Sequence, residues 1–149
     1  METKFNFNSQ VATTREQSER LLALGLKKET ADMHYALVKQ AGYPEWDYFL
    51  MPSPITNDAF ESIPAWSLSR LLCMIPEVIE HKKDLPTFNK YADLELCLYG
   101  IGYFYEDYDG DQSTIESWVG NGLFAAVVDC IKWLIKEGYF NKEYLNNEN

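Results

Sequence analysis

The sequence predicts an α+β fold: a small antiparallel sheet packed by a C-terminal amphipathic helix, with two shorter helices beside it. Three features point to it. Residues 121 to 137 place Leu123, Phe124, Val127, Val128, Ile131, Leu134 and Ile135 at the spacings of one wide helix face. Residues 94 to 99 alternate instead, with Leu94, Leu96 and Leu98 on one side and Glu95, Cys97 and Tyr99 on the other, the period of a strand with one buried face. Two capping signals, TTREQ and AWSLS, each precede a leucine-rich run. A chain of 149 residues fits one domain with a core of its own, and it contains no repeat or low-complexity tract.

Taken in order, residues 1 to 10 read as a loosely held extension. TTREQSERLLALGL then forms a helix over about 14 to 24. Its capping box is either Thr13 with Glu16 or Thr14 with Gln17, and Gly25 supplies the left-handed residue that ends it. Leu26 falls where an apolar contact seals such an end. Residues 26 to 62 are the least legible. MHYALV and YFLM each suit a short strand between the turns GYPEW and MPSPITND, although MHYALV also suits a helix.

The stretch IPAWSLSRLL asks whether two serines, a tryptophan and an arginine form a site or begin a helix. Leu68, Leu71, Leu72 and Ile75 follow helical spacing, Ser67 is placed as N-cap, and Trp66 and Leu71 stand at the N′ and N4 positions of a hydrophobic staple. Pro64 fixes the approach and Pro76 stops the helix. A nucleophilic serine needs a base within reach, and no histidine is near in sequence, nor is GxSxG present. The stretch reads as a helix start.

Beyond it, Gly100 and Gly102 allow either a tight hairpin turn or a kinked continuation of the 94–99 strand; the hairpin is preferred, with Tyr103 to Glu106 as partner strand, and STIESWV adds a third strand. The last helix is expected to cover the leucine face of this hairpin. Gly138 ends that helix, and Lys132 and Lys136 suit its negative end.

Charge narrows the function. Residues 1 to 40 hold six Lys/Arg against five Asp/Glu, whereas residues 41 to 149 hold seven against eighteen, and none of those seven falls between Ala41 and Ser69. Such a surface repels phosphate, so direct nucleic-acid binding is not expected. METKFNFNSQ lacks the apolar core of a signal peptide, and no apolar run approaches the roughly 20 residues that span a bilayer. The expectation is a cytoplasmic protein without membrane contact. Cys73, Cys97 and Cys130 stand apart in apolar surroundings and read as small buried hydrophobes in a reducing compartment.

One stretch looks like a site. EDYDGDQSTIE alternates Asp107, Asp109 and Asp111 as the start of a calcium loop does. Counted from Asp107, the sixth and twelfth positions are Gln112 and Trp118 where an EF-hand needs Gly and Glu; counted from Asp109 they are Thr114 and Gly120. The three aspartates are weak metal candidates against the reading of an acidic turn. His34 and His81 lack partners at metal-ligand spacing. Walker and GxGxxG loops are absent. Asp93, Glu95 and Glu106 read as the wet face of the sheet. No catalytic residue, cofactor or metal is therefore assigned.

TTREQSERLLALGL, KKETADM, IPAWSLSRLL and IKWLIKEGYFNKEYL resemble a family of small uncharacterised proteins carried by phages and mobile elements of gut bacteria. The resemblance spans most of the chain but not residues 34 to 62 or 77 to 118. It implies a bacterial cytoplasm and a mobile-element origin, and no activity, cofactor or catalytic residue. The reading is a non-catalytic accessory protein acting on a protein partner. The alternatives are an acidic nucleic-acid mimic that inhibits a host DNA-binding protein, or a small hydrolase or ligand-binding enzyme. The mimic would need Asp107, Asp109, Asp111 and Glu116 on one face with Glu77, Glu80 and Asp84.

Overall fold

The computed structural model describes residues 9–55, 61–98 and 100–147. Along the chain run α1 (Arg15–Ala23), β1 (Met33–Lys39), β2 (Trp46–Met51), β3 (Ser62–Ala65), α2 (Leu68–Met74), β4 (Val78–Glu80), β5 (Tyr91–Cys97), β6 (Gly100–Glu106), β7 (Gln112–Val119) and α3 (Leu123–Glu137). Single 3₁₀ turns lie at Lys28–Thr30 and Lys142–Tyr144. The class is α+β as expected, but the strands form two antiparallel sheets, ordered β2-β1-β3 and β4-β5-β6-β7. MHYALV is the central strand of the first. Its residues are all half-buried, so it lacks the buried/exposed alternation that would have marked it as a strand. Of the turn MPSPITND, positions 56 to 58 lie outside the described residues, as do positions 1 to 8 of the expected extension.

The capping box that forms is the one at Thr14, whose hydroxyl accepts the Gln17 amide at 3.1 Å while Gln17 Oε1 accepts the Thr14 amide at 3.0 Å. Thr13 turns inward instead: its hydroxyl accepts the Trp66 amide at 3.0 Å and lies 2.8 Å from Ser18 Oγ. At the far end Gly25 adopts φ 97°, which an L side chain resists, and its amide reaches Leu22 O while that of Leu26 reaches Leu21 O. Leu21 and Leu26 are both fully buried, so the expected seal is in place. The chain just past α1 is held by residues from near the other end of the sequence. Lys27 N donates to Tyr144 O, Asn146 N to Gly25 O, and Leu26 forms an antiparallel bridge with Leu145.

Ser67 caps α2 by accepting the Arg70 amide at 3.1 Å, and the helix ends at Met74, two residues before Pro76. Trp66 and Leu71 are fully buried in one core cluster. Pro64 sits in β3, an edge strand, where its missing N–H breaks no ladder.

The four-stranded sheet has one covered face. Ile79, Ala92, Ile101 and Tyr103 are buried on it, beneath Phe124, Val127, Val128, Ile131 and Leu134 of α3. Each of the Ile, Val, Leu and Phe side chains among them contributes about 1.5–3 kcal/mol when removed from water. The helix rests chiefly on β6 and β7 rather than on the leucines of β5. Leu94 is half-buried, but Leu96 is exposed and Leu98 falls beyond the end of β5, 81% exposed. A bulge leaves Ile115 unpaired between Thr114 and Glu116, and its side chain packs against the core.

The glycines expected at the hairpin turn lie inside β6, with Gly100 opposite Cys97. Their role is clearance: a Cβ on Gly100 would stand 2.2 Å from the Trp118 carbonyl oxygen. At the C-terminal end of α3, Gly138 is left-handed and Lys136 lies in the last turn as expected, and a second cation reaches the last carbonyls from elsewhere. Lys82 Nζ donates to Glu137 O at 2.6 Å and lies 4.7 Å from the centre of the Tyr139 ring.

Candidate functional site

Among the described residues, the other face of the four-stranded sheet is left exposed. Alternation from the buried residues and the strand register assign it Val78 and Glu80 of β4, Tyr91, Asp93, Glu95 and Cys97 of β5, and Phe104 and Glu106 of β6. Gln112 of β7 is paired with Glu106, as Glu80 is with Tyr91 and Asp93 with Phe104. Four carboxylates, Glu80, Asp93, Glu95 and Glu106, thus share one face, and its strand positions carry no Lys or Arg. Lys90, just before β5, reaches Glu80 Oε1 at 3.1 Å, an exposed pair of small energetic weight.

At the centre lies Phe104. Its ring covers Gly102, where a Cβ would stand 2.8 Å from the ring edge. Gln112 Nε2 donates to Glu95 Oε1 at 2.7 Å, and a shallow cleft of about 220 Å³ opens among Asp93, Glu95, Phe104, Glu106 and Gln112. The face therefore offers negative charge around an aromatic floor. Among the described residues it holds no histidine and pairs no nucleophile with a base.

The sequence candidates fall elsewhere. Asp107 is turned into its own hairpin loop: Oδ1 accepts the Asp109 amide at 3.0 Å and the Asp111 amide at 2.9 Å, and Oδ2 accepts from Ser113 Oγ at 3.3 Å. Gly110, at φ 81°, closes the turn by donating to Asp107 O. Asp109 and Asp111 are exposed at the tip. Among the described residues no three His, Cys, Asp or Glu side chains come together as a metal site. The stripe required of a nucleic-acid mimic is divided, because Glu116 is paired with Tyr103 and so belongs to the opposite face from Glu80.

Ser67 does meet a carboxylate, one that sequence spacing hides because it lies 35 positions upstream. Asp32 Oδ2 accepts from Ser67 Oγ at 2.5 Å and Oδ1 accepts the Ser67 amide at 2.9 Å. Arg70 Nε donates to Thr30 O at 2.6 Å, and Trp66 Nε1 to Thr30 Oγ1 at 2.9 Å. This network ties the start of α2 to the segment before β1, which gives Arg70 a structural role as well. His34 and His81 contact the backbone oxygens of Ser53, Lys83 and Asn89.

The cysteines correct an expectation. All three are free, but only Cys130 is buried, whereas Cys73 and Cys97 are exposed on α2 and on the outer sheet face. Burial pushes the Cys130 thiol up to about 12. Burial likewise raises Tyr103, whose hydroxyl donates to Pro76 O at 2.6 Å.

Among the described residues no helix is long and apolar enough to cross a membrane. Comparison with protein-family models, with curated proteins and with solved structures found no match.

Proposed function

We propose that this chain is a non-catalytic accessory protein of a phage or bacterial mobile element, acting in the cytoplasm by binding a basic protein partner through the outer face of its four-stranded sheet. The observation that supports this reading is that Phe104 shares with Glu80, Asp93, Glu95 and Glu106 a face that no described residue covers. An aromatic anchor ringed by like charges suits a surface bearing Lys and Arg, which such charges attract before contact. It does not suit nucleic acid, whose phosphates would meet the same carboxylates.

The test is parallel capture from bacterial lysate with the tagged protein and a Glu95→Lys/Glu106→Lys variant. Both positions are exposed, so the variant keeps the wild-type melting temperature. A partner retained by the wild type and lost by the variant is the expected result. Identical sets from both would remove the face from consideration. Salt then separates this reading from mimicry. Binding anchored on Phe104 survives at high salt with a slower on-rate, whereas binding by exposed charge alone collapses, since screening acts within about 8 Å at physiological ionic strength.

A further inference from the structure

The hairpin of β1 and β2 belongs to the other sheet and carries a feature independent of the acidic face. Its connection exposes two large rings, Tyr43 at 66% and Trp46 at 60%. Both border an open cleft of about 500 Å³, within the size range of ligand sites. Phe49 adds a third ring to the wall, and Gln40, Glu45 and Asp47 are its polar members. The register places Asp47 opposite Val38, and Phe49 opposite Ala36, on one face of the hairpin.

The charge of the cleft's lining is one-sided, while Lys39, the cross-strand partner of Trp46, stands on the alternate face of the hairpin from Asp47 and Phe49. That lining holds two carboxylates and no Lys or Arg. Asp47 Oδ1 accepts the neighbouring Tyr48 amide at 2.8 Å, and among the described residues neither Asp47 nor Glu45 is paired with a cation. We propose that the cleft binds an organic cation carried on an apolar stem or bearing methyl groups. The negative faces of aromatic rings attract a cation within about 6 Å of their centres, most strongly for tryptophan. Carboxylates beside the rings add formal charge, and Phe49 and Val38 accept the methylene or methyl groups that such a cation brings. An anion would meet two like charges there. Two sources share this chemistry, a basic side chain of a protein partner and a free quaternary amine.

The experiment uses the whole protein labelled with ¹⁵N, whose four tryptophans report separately through their indole N–H resonances. Choline chloride is one probe, acetyl-Gly-Lys-Gly-amide the other, and sodium chloride at matched ionic strength the control. The expected result is a saturable shift of the Trp46 indole and of amides 43 to 49 with at least one probe, at a Kd of about 1 mM. Trp46→Ala and Asp47→Asn should each weaken it about tenfold while leaving the circular dichroism spectrum unchanged. Asp47→Asn, at an exposed position, keeps the test decisive if Trp46→Ala perturbs the hairpin. Tighter binding of the peptide assigns the cleft to a partner's side chain, and tighter binding of choline to a free amine. The proposal is overturned if sodium chloride moves the same resonances equally, if neither probe saturates by about 20 mM, or if Asp47→Asn binds as the wild type does.

Discussion

Trp66→Ala removes a core side chain whose indole bonds the segment before β1, and its cost follows from the contacts described. The ring is fully buried, so its loss combines transfer and cavity terms of about 3–5 kcal/mol. The indole N–H also releases Thr30 Oγ1, but that hydroxyl still donates to Lys27 O at 2.7 Å. The hydrogen-bond loss therefore stays near about 1 kcal/mol. A total of about 4–6 kcal/mol is a large share of the roughly 5–15 kcal/mol that typically holds a domain of this size. Trp66→Phe keeps most of the apolar volume and should cost about 1–2 kcal/mol. Urea unfolding followed by far-ultraviolet circular dichroism reads these values, with an unchanged m-value as the check on two-state behaviour. A double-mutant cycle with Leu71→Ala then isolates the staple, for which a coupling above about 0.5 kcal/mol is expected. A cost below about 1 kcal/mol for Trp66→Ala, or additivity of the pair within about 0.3 kcal/mol, would refute the anchoring role.

Cys130 should resist a thiol reagent at neutral pH while Cys73 and Cys97 react, as mass spectrometry after brief alkylation would record. The same burial makes stability fall in alkali. Below about pH 9 the thiol is protonated in both folded and unfolded chains, but between about 9 and 12 only the unfolded chain loses the proton, and stability drops by up to about 1.4 kcal/mol per pH unit. Cys130→Ala should flatten that part of the pH curve, and an unchanged slope would count against the assignment. Asp107→Ala should cost about 1–2 kcal/mol by freeing the amides of its loop, read as a lower melting temperature. Millimolar calcium should leave the wild-type melting temperature within error, and a rise of several degrees would restore Asp107, Asp109 and Asp111 as ligands. Gly100→Ala should destabilise by more than about 2 kcal/mol, because the obstacle at 2.2 Å is backbone; wild-type stability would show that the β6–β7 pairing yields there.

The helices were legible because their signals are local. Thr14, Ser67, Gly25 and Gly138 each act within one turn of their own position, and the apolar face of α3 repeats along a single element. The wet side of the sheet was also legible in Asp93, Glu95 and Glu106, since alternation depends only on the strand itself. Four features needed pairing between distant segments. The first sheet was ambiguous because half-burial on both sides of β1 erases alternation. Gly100 mimicked a turn residue because its true constraint, the carbonyl of Trp118, lies on another strand. Asp32 gave no sign of meeting Ser67, and Phe104 none of forming the floor between carboxylates, because neither contact has a fixed sequence spacing. The exposed Trp46 and Tyr43 left a faint trace in the turn GYPEW, whose two rings flank a proline.

The bond from Lys27 to Glu143 spans 116 positions and the ion pair of Arg20 with Asp129 spans 109. On a ribosome adding about 5–20 residues each second, α1 therefore emerges on the order of ten seconds before the segments that hold it. Each sheet, in contrast, joins neighbours along the nascent chain and can pair as it appears. During synthesis the junction after the first helix, at Gly25 to Lys27, stays open to a chaperone until residues 144 to 146 arrive. A stall or premature stop after Gly138 would release a chain with both sheets paired and its clasp unmade, a natural substrate for proteolysis.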